Sequence, residues 1–309
     1  MDRQSKILII GHNDAVENSL QHYFVSNQYL QIFSSSRIAL DLLNQKAVFN
    51  FFEKTKVDYV FLGSVRSGGI GANQKYAAEF IYENLESQNN VIQAAYKSGV
   101  KKLLYFTGSC TYPKKCRQPM KEEYLLTGRL EETSEPYSVA KIAGTKLCQT
   151  YNKQYGFKAI VAVPATIYGP GSDMDLETAH VMGAMLTKFH KAVVKKEKEV
   201  VIWGTGKPRR EFIYVDDFVA ACLHLMDSYN DVMMINVGCG QDHSIKALAE
   251  MIKTVSGFKG KIVFDRSRPD GAMKKLMDNK RILKLGWKPK IGLKEGIART
   301  YQWMVRATK

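Results

Sequence analysis

Short apolar runs alternate with longer amphipathic stretches through the first half of the chain. The apolar runs cover residues 6–10, 57–62, 102–106 and 159–163. Runs of this length, without regular polar alternation, are typical of strands buried on both faces of a parallel sheet. Between them, apolar residues recur at helical spacing, which predicts helices over the following ranges: 16–25, 80–98 and 136–155. The alternation predicts an α/β fold with a Rossmann-type, doubly wound parallel sheet.

The pattern loosens in the second half of the chain. A predicted helix over 178–195 and a strand at 200–203 begin a smaller C-terminal lobe, whereas 212–240 is expected to return to the main sheet. We therefore divide the chain into a Rossmann dinucleotide-binding domain, residues 1–170, and a mainly substrate-binding lobe, residues 171–309. Ligands of such sheets bind at the carboxyl ends of the strands.

The composition of the chain indicates where in the cell we expect the protein. Hydrophobic residues make up 45% of the 309 residues, yet no apolar run approaches the roughly 20 residues of a membrane helix. The first residues lack the features of a signal peptide. The five cysteines are odd in number and include no C-x-x-C, so neither a disulfide framework nor a metal site is expected. We expect a cytoplasmic protein without a membrane partner.

The formal net charge of +15 favours anionic ligands, and nucleic acid, membrane surfaces and nucleotide diphosphates all qualify. Two lysine-rich segments, 191–198 and 274–284, lack the interleaved aromatic residues with which proteins bind single-stranded nucleic acid. A basic, solvated surface is the simpler interpretation of these segments. We therefore expect no nucleic acid partner.

The first candidate for chemistry is the pair Tyr137 and Lys141, four residues apart within the predicted helix 136–155. Residues at this spacing share a helix face. A neighbouring ammonium favours the phenolate form of a tyrosine, which can then exchange a proton with a hydroxyl or ketone while hydride moves to or from a nicotinamide. The spacing alone is common by chance. The order of the pair between two predicted strands is more specific.

Further motifs surround this pair and extend over nearly the whole chain. They are Gly68-Gly69-Ile70, Ser109-Cys110-Thr111-Tyr112-Pro113, Glu135-Pro136-Tyr137, Lys141-Ile142-Ala143-Gly144, Trp203-Gly204-Thr205-Gly206, Arg210-Glu211-Phe212, Val215-Asp216-Asp217, Pro269-Asp270-Gly271 and Leu285-Gly286-Trp287. In these motifs the chain resembles the GDP-L-fucose synthases, which are extended short-chain dehydrogenase/reductases. The resemblance implies an NADP(H)-dependent enzyme that epimerises a GDP-4-keto-6-deoxyhexose at C3 and C5 and reduces C4.

The resemblance also implies the catalytic roles. The C4 ketone acidifies the protons at C3 and C5, so inversion needs a base and an acid, which the resemblance places on Cys110 and His180. A cysteine beside positive charge can serve as a base, and histidine titrates near neutrality. Tyr137 would protonate the C4 oxygen, and Lys141 would hold the ribose and tune Tyr137. Taken singly, Cys110 is better interpreted as a buried apolar thiol, and His180 as a helix-capping or surface residue. Their joint placement in the family pattern favours the catalytic interpretation.

The binding residues follow from the same resemblance. The cofactor residues would be Gly11, Arg37, Lys141 and Pro164, with Arg37 facing the 2′-phosphate of NADP(H). The guanine nucleotide would be held by Lys188, Trp203 and Arg210. The alternatives are a lobe-core aromatic for Trp203 and a surface ion pair with Glu211 for Arg210. The implied partners are a GDP-sugar substrate and a second copy, in a homodimer formed through helices flanking the Tyr-Lys segment.

One departure from the family pattern affects the cofactor turn. The fingerprint of three glycines after the first strand retains only Gly11. Asp14 and Glu17 stand at the other two glycine positions, where their carboxylates would compete with a phosphate for the helix N-terminus. We therefore expect the sequence to fill its own anion site.

A second departure is Gly108, which stands where the resemblance gives a serine or threonine as third redox residue. Ser109, which we include among the catalytic candidates, or Thr107 would replace that hydroxyl only if the loop shifts. Thr166 stands where asparagine is usual. Loss of one oxyanion donor typically costs about a hundredfold to a thousandfold in rate. The alternative function is therefore a redox-silent or non-catalytic homologue that binds a nucleotide sugar or partners an active enzyme.

Overall fold

A computed structural model describes residues 1–11, 15–268 and 270–307 of the chain. The strands are β1 Lys6–Ile10, β2 Gln31–Ser34, β3 Tyr59–Leu62, β4 Lys102–Phe106, β5 Ala159–Pro164, β6 Thr166–Tyr168, β7 Glu199–Trp203, β8 Arg209–Tyr214, β9 Ile235–Val237, β10 Asp242–Ser244, β11 Lys261–Asp265 and β12 Lys274–Lys275. The α-helices are α1 Ala15–Ser26, α2 Gln45–Thr55, α3 Ile70–Lys75, α4 Ala77–Lys97, α5 Glu135–Tyr155, α6 Val181–Val194, α7 Val215–Ser228, α8 Ile245–Ser256, α9 Lys280–Lys284 and α10 Leu293–Ala307.

The largest sheet is parallel and has the strand order β2-β1-β3-β4-β5-β9. Its central strands are apolar, and every residue of β4 and β5 is buried. Their register places Leu104 opposite Ile160, while Ile7 of β1 stands opposite Tyr59 of β3. Strands covered on both faces need a continuous apolar sequence, and such runs allow these strands to be predicted from the sequence. The predicted Rossmann-type sheet is confirmed.

The strand order reverses at β1, because the chain continues to β2 on one side and then to β3 on the other. Such a reversal opens a crevice at the carboxyl ends of the two strands, where doubly wound sheets bind their ligands. Gly11 follows β1 at this edge, and Gly63 follows β3. Helices α4 and α5 pack against each other, and α5 carries Tyr137 and Lys141.

The C-terminal half adds two smaller sheets. Strand β8 pairs in parallel with β6 and β12 and antiparallel with β10, whereas β7 pairs with β11. Helix α8 packs against both α6 and α10. Strand β9, in contrast, joins the edge of the large sheet beside β5. Among the described residues, no helix is both long and apolar enough to span a membrane.

Candidate active site

The carboxyl end of β3 meets the first turn of α5 at the crevice. Pro136 lies in that first turn, where its missing N–H removes no helical hydrogen bond. The Tyr137 hydroxyl follows and lies 2.9 Å from Ser64 Oγ, just past β3. Phe80 of α4 meets the Tyr137 ring edge-on, with 6.2 Å between the ring centroids. Side chains from two other elements therefore hold the phenol in place.

Lys141 lies one turn further along α5 and is 1% exposed. Burial lowers the pKa of its ammonium to about 7, while Cys110 and Cys148 oppose that shift. Its Nζ lies 4.0 Å from the ring centroid of Tyr105 on β4. The negative face of an aromatic ring attracts a cation, so Tyr105 offers the buried amine a favourable contact.

A buried hydrogen-bond chain supports Tyr105. Its hydroxyl donates to Gln88 Oε1 at 2.5 Å, and Gln88 Nε2 donates to the Ala140 carbonyl at 2.8 Å. A Cβ on Gly144 would lie 2.4 Å from the Tyr105 hydroxyl oxygen, so α5 approaches β4 this closely because residue 144 is a glycine. The chain joins α4, β4 and α5 beneath the site.

Cys110 lies in a short 3-10 turn, Ser109–Thr111, directly after β4. The Ser138 hydroxyl of α5 donates to the Cys110 carbonyl at 3.1 Å and ties this turn to the helix. The Cys110 side chain is half-buried and interacts electrostatically with the amines of Lys141 and Lys275. Burial lowers the pKa of Lys275, and Cys110 opposes that shift. Two lysine amines therefore lie near the Cys110 thiol.

His180 stands at the N-cap position of α6 and makes no side-chain capping hydrogen bond. Its segment contacts Gly69, whose N–H donates to the Thr178 carbonyl at 2.8 Å. A Cβ on Gly69 would lie 2.6 Å from the Ala179 carbonyl oxygen, so this approach requires glycine. Part of the His180 residue is exposed to solvent. The surrounding protein nevertheless desolvates its imidazole, which lowers the pKa of His180, and the negative charge of Asp173 opposes this shift.

Phe80 connects the His180 segment with α5. One side of its ring meets Tyr137, as described above. A Cβ on Gly68 would lie 3.4 Å from the Phe80 ring and 3.3 Å from the Thr178 carbonyl oxygen. The segment that carries the candidate acid and the helix that carries the phenol therefore pack around the same residues.

Trp203 ends β7 and is 57% exposed, so the alternative of a lobe-core aromatic is wrong. Lys188 Nζ lies 5.3 Å from its ring centroid, and the Arg268 guanidinium lies 4.9 Å away. Burial lowers the pKa of Lys188, whose amine also donates to the Val201 carbonyl at 2.9 Å. An exposed indole flanked by cations offers a flat face to a base and positive charge to a phosphate.

Arg210 of β8 turns its guanidinium toward the loop before β12, where it donates to the Ala272 carbonyl at 2.5 Å. Desolvation lowers the pKa of Arg210, while Glu131 and Asp270 oppose that shift. The Glu211 carboxylate instead accepts backbone N–H groups from two neighbouring loops. The predicted alternative of an Arg210–Glu211 surface ion pair is therefore wrong.

Sequence reasoning missed three residues of this site: Ser64, Glu131 and Lys275. Glu131 is buried and binds Lys114 with one carboxylate oxygen at 3.1 Å, while its other oxygen has no hydrogen-bond partner among the described residues. Lys275 stands opposite Arg210 in the pairing of β12 with β8. The position of Ser64 directly after a buried strand is a signal that sequence reasoning could have used.

A cavity of about 330 Å³ opens at the carboxyl ends of the first three strands. It is lined by Gly11, Ser35, Ser36, Leu40, Asp41, Leu42, Leu43, Val65 and Glu83. Arg37 is exposed beside this cavity, and Pro164 is buried at the carboxyl end of β5. Ligand pockets start at about 300 Å³, so the space suits one half of a dinucleotide. The residues present therefore fit the adenosine end of NADP(H).

Glu17, at a former glycine position, is buried between α1 and β2. Its carboxylate accepts the Ser36 N–H at 2.9 Å and lies 3.3 Å from the Ser35 hydroxyl, which also lies 2.8 Å from the Gly11 carbonyl oxygen. Glu17 thus ties α1 to the end of β2 at the rim of the cavity. Asp14, the other predicted carboxylate, lies outside the described residues.

The chain is similar to known proteins over nearly its whole length. The model of the NAD-dependent epimerase/dehydratase family matches residues 7–238. GDP-L-fucose synthase 1 of Arabidopsis thaliana is 43% identical over 305 residues, which cover 99% of this chain and 94% of the relative. The chain belongs to the GDP-L-fucose synthase group of this family. The resemblance in the sequence motifs is thereby confirmed.

Two solved structures share the fold along nearly the whole chain. A GDP-6-OMe-4-keto-L-xylo-heptose reductase from C. jejuni has a TM-score of 0.94 at 37% identity, with 99% of each chain covered. A GDP-mannoheptose C4 reductase from Campylobacter jejuni with NADP bound has a TM-score of 0.89 at 39% identity, again with 99% of each chain covered. Both names describe enzymes that reduce GDP-linked sugars.

Proposed function

We propose that this protein is a GDP-sugar epimerase/reductase of the GDP-L-fucose synthase type. It epimerises a GDP-4-keto-6-deoxyhexose at C3 and C5 and reduces the C4 ketone. The observation that carries the proposal is the convergence of Tyr137, Lys141 and Cys110 around one crevice at the switch point of the sheet. NADPH, when bound, supplies the hydride to C4. Full-length similarity to GDP-L-fucose synthases favours this function over the redox-silent alternative.

Epimerisation needs a base that accepts a proton from C3 or C5 and an acid that returns one to the opposite face. Cys110 is the base in this proposal, because a thiolate there gains attraction from the amines of Lys141 and Lys275. His180 is the acid. The enolate oxygen formed in between accepts a hydrogen bond from Tyr137, which lowers the cost of the negative charge.

Reduction needs a proton at the C4 oxygen as hydride reaches C4. Tyr137 donates that proton, and Lys141 holds the ribose and tunes the phenol. Ser109, in the turn directly after β4, stays a catalytic candidate.

Binding is divided between the two parts of the molecule in this proposal. Gly11, Arg37 and Pro164 contact the cofactor, and Lys188, Trp203 and Arg210 contact the guanine nucleotide. The same proposal includes the two domains: a Rossmann domain of residues 1–170, to which 212–240 returns, and a mainly substrate-binding lobe within residues 171–309. It also includes a homodimer and a cytoplasmic location, the latter supported by five free cysteines.

The test uses the purified protein and GDP-4-keto-6-deoxymannose. In heavy water without NADPH, we expect deuterium to appear at C3 and C5; with NADPH, we expect absorbance at 340 nm to fall. Cys110→Ser should abolish the exchange, whereas Cys116→Ser, a second half-buried cysteine, should leave it unchanged. Tyr137→Phe should abolish the reduction. Absence of both exchange and NADPH binding at millimolar cofactor would favour the redox-silent homologue instead.

A further inference from the structure

Ser64 places a hydroxyl group on the phenol that the proposed reduction uses. Ser64 Oγ and Tyr137 Oη are 2.9 Å apart, a normal distance between hydrogen-bonded hydroxyls. We propose that Ser64 is a third catalytic residue of the ketone reduction and donates its hydroxyl proton in a hydrogen bond to the Tyr137 oxygen. This inference rests on the proposed function. At position 108, beside the same site, the chain has a glycine without a hydroxyl.

Hydrogen bonds hold the backbone on both sides of Ser64. Gly63 N–H donates to the Ile10 carbonyl at 2.7 Å, which extends the pairing of β3 with β1 by one residue. On the other side, Asn84 of α4 binds both backbone groups of Arg66, donating to its carbonyl at 3.0 Å and accepting its N–H at 3.4 Å. A hydroxyl held on both sides in this way keeps its geometry through the reaction.

The chemistry explains why such a hydroxyl accelerates the reduction. Hydride adds to C4 while the Tyr137 proton moves to the C4 oxygen, so the carbonyl becomes a secondary alcohol and the cofactor leaves oxidised. Tyr137 is left as a phenolate, which later regains a proton from solvent. A hydrogen bond donated by Ser64 stabilises this anion and therefore the transition state that leads to it. The Ser64 proton itself stays on Ser64.

Two other hydroxyls near the site compete for this role. Thr107 follows β4, and its hydroxyl is buried without a hydrogen-bond partner among the described residues. Ser109 opens the short 3-10 turn that follows β4. Ser64 is favoured because its hydroxyl already contacts the phenol.

The kinetic test measures single-turnover NADPH oxidation with GDP-4-keto-6-deoxymannose in four proteins: wild type, Ser64→Ala, Gly108→Ser and the double variant. We expect Ser64→Ala to slow the hydride step about a hundredfold, the typical effect of losing one such donor, with little change in KM. Exchange at C3 and C5 without NADPH should stay at the wild-type rate. The double variant should recover most of the loss, since a Cβ at 108 meets Cys110 Sγ at an acceptable 3.4 Å.

A second measurement needs neither substrate nor cofactor. The chain contains 16 tyrosines, which are labelled with ¹³C at Cζ for NMR. The Tyr137 resonance is the one that disappears from the spectrum of Tyr137→Phe. Ser64→Ala should move the titration of this phenol to higher pH, because the phenolate loses a donor. Thr107→Val should leave both the titration and the rate unchanged.

Two results would overturn the assignment: Ser64→Ala with an unchanged hydride rate and Tyr137 titration, or the same loss of rate in Thr107→Val. Failure of the proposed function is distinguishable, because wild-type protein would then show no exchange and no reduction. The Tyr137 titration would still report on the Ser64 contact in that case.

Discussion

Lys141 holds its amine where little water reaches it. Burial lowers its pKa in the folded protein to about 7, from 10.5 for the free side chain. Between these two pH values the unfolded chain binds a proton that the folded chain does not, so stability rises with pH across this window. Below pH 7 the full cost of burying the charge applies. Lys141→Met should therefore raise the free energy of unfolding by on the order of 3 kcal/mol at pH 6.

The gain should shrink as the pH approaches 10, and urea unfolding at several pH values measures it. Lys146 is exposed on the same helix, so Lys146→Met is the matched control and should change stability little at any pH. An equal gain at pH 6 and pH 10 would contradict the role of Lys141 burial.

Glu17 brings a carboxylate to the rim of the cavity beside Ser35 and Ser36. A negative charge there repels the phosphate that Arg37 is expected to bind. Glu17→Gln keeps an acceptor for the Ser36 N–H and removes the charge. We expect this variant to bind NADPH a few-fold more tightly, measured by fluorescence titration at low salt. NADH lacks the 2′-phosphate and should gain less; an equal gain for both would place the effect elsewhere.

At the scale of elements, the N-terminal edge of α3 sets the position of the His180 segment. Gly69→Ala would put a Cβ 2.6 Å from the Ala179 carbonyl oxygen, so the two segments must separate. We expect a loss of about 1–3 kcal/mol in stability and at least a tenfold slower exchange at C3 and C5. Deuterium incorporation and thermal unfolding measure the two effects.

Gly71, two residues further along α3, is the matched control for Gly69→Ala. The nearest atom to a Cβ there is the Glu177 carbonyl oxygen at 3.6 Å, which is ordinary contact. Gly71→Ala should leave the exchange rate unchanged and add about 0.5–1 kcal/mol of stability, because alanine suits a helix better than glycine. Similar effects of both substitutions would show that helix packing in general, and not the contact at Ala179, positions His180.

Elements with strong local signals could be predicted from the sequence. The continuous apolar run of β4 matches its observed bounds, and α5 begins one residue before its predicted start. Strand β2 was missed because it has only four residues with two polar ones among them. The segment 212–229 contains the end of β8 and all of α7, and an apolar sequence does not show where one becomes the other.

The residues of the candidate site also differ in how far the sequence alone predicts them. A motif within one element, such as Tyr137 with Lys141, could be predicted because residues four apart on a helix lie on the same face. The contacts of Ser64, Glu131 and Lys275 could not be predicted, because their partners come from segments distant in sequence. The contact between Ser64 and Tyr137 spans 73 residues, and no local pattern encodes it.

At the scale of the whole molecule, α4 and α5 pack together and expose three large apolar side chains, Tyr82 at 61%, Val139 at 40% and Tyr155 at 49%. Burial of such residues against a second copy is favourable. We expect the protein to sediment at about twice its monomer mass and Val139→Lys to weaken that association. Val194→Lys, at an equally apolar exposed position on α6, should leave the mass unchanged. A monomeric wild type at micromolar concentration would contradict the homodimer.

The absent side chain of Gly144 has a mechanical consequence for the enzyme. Helix α5 rests directly on the Tyr105 hydroxyl and the Gln88 carboxamide, with less room than one methyl group occupies. Any larger residue at 144 lifts the helix, and with it both Tyr137 and Lys141. Random libraries should therefore yield no active variant at this position, although it touches neither sugar nor nucleotide.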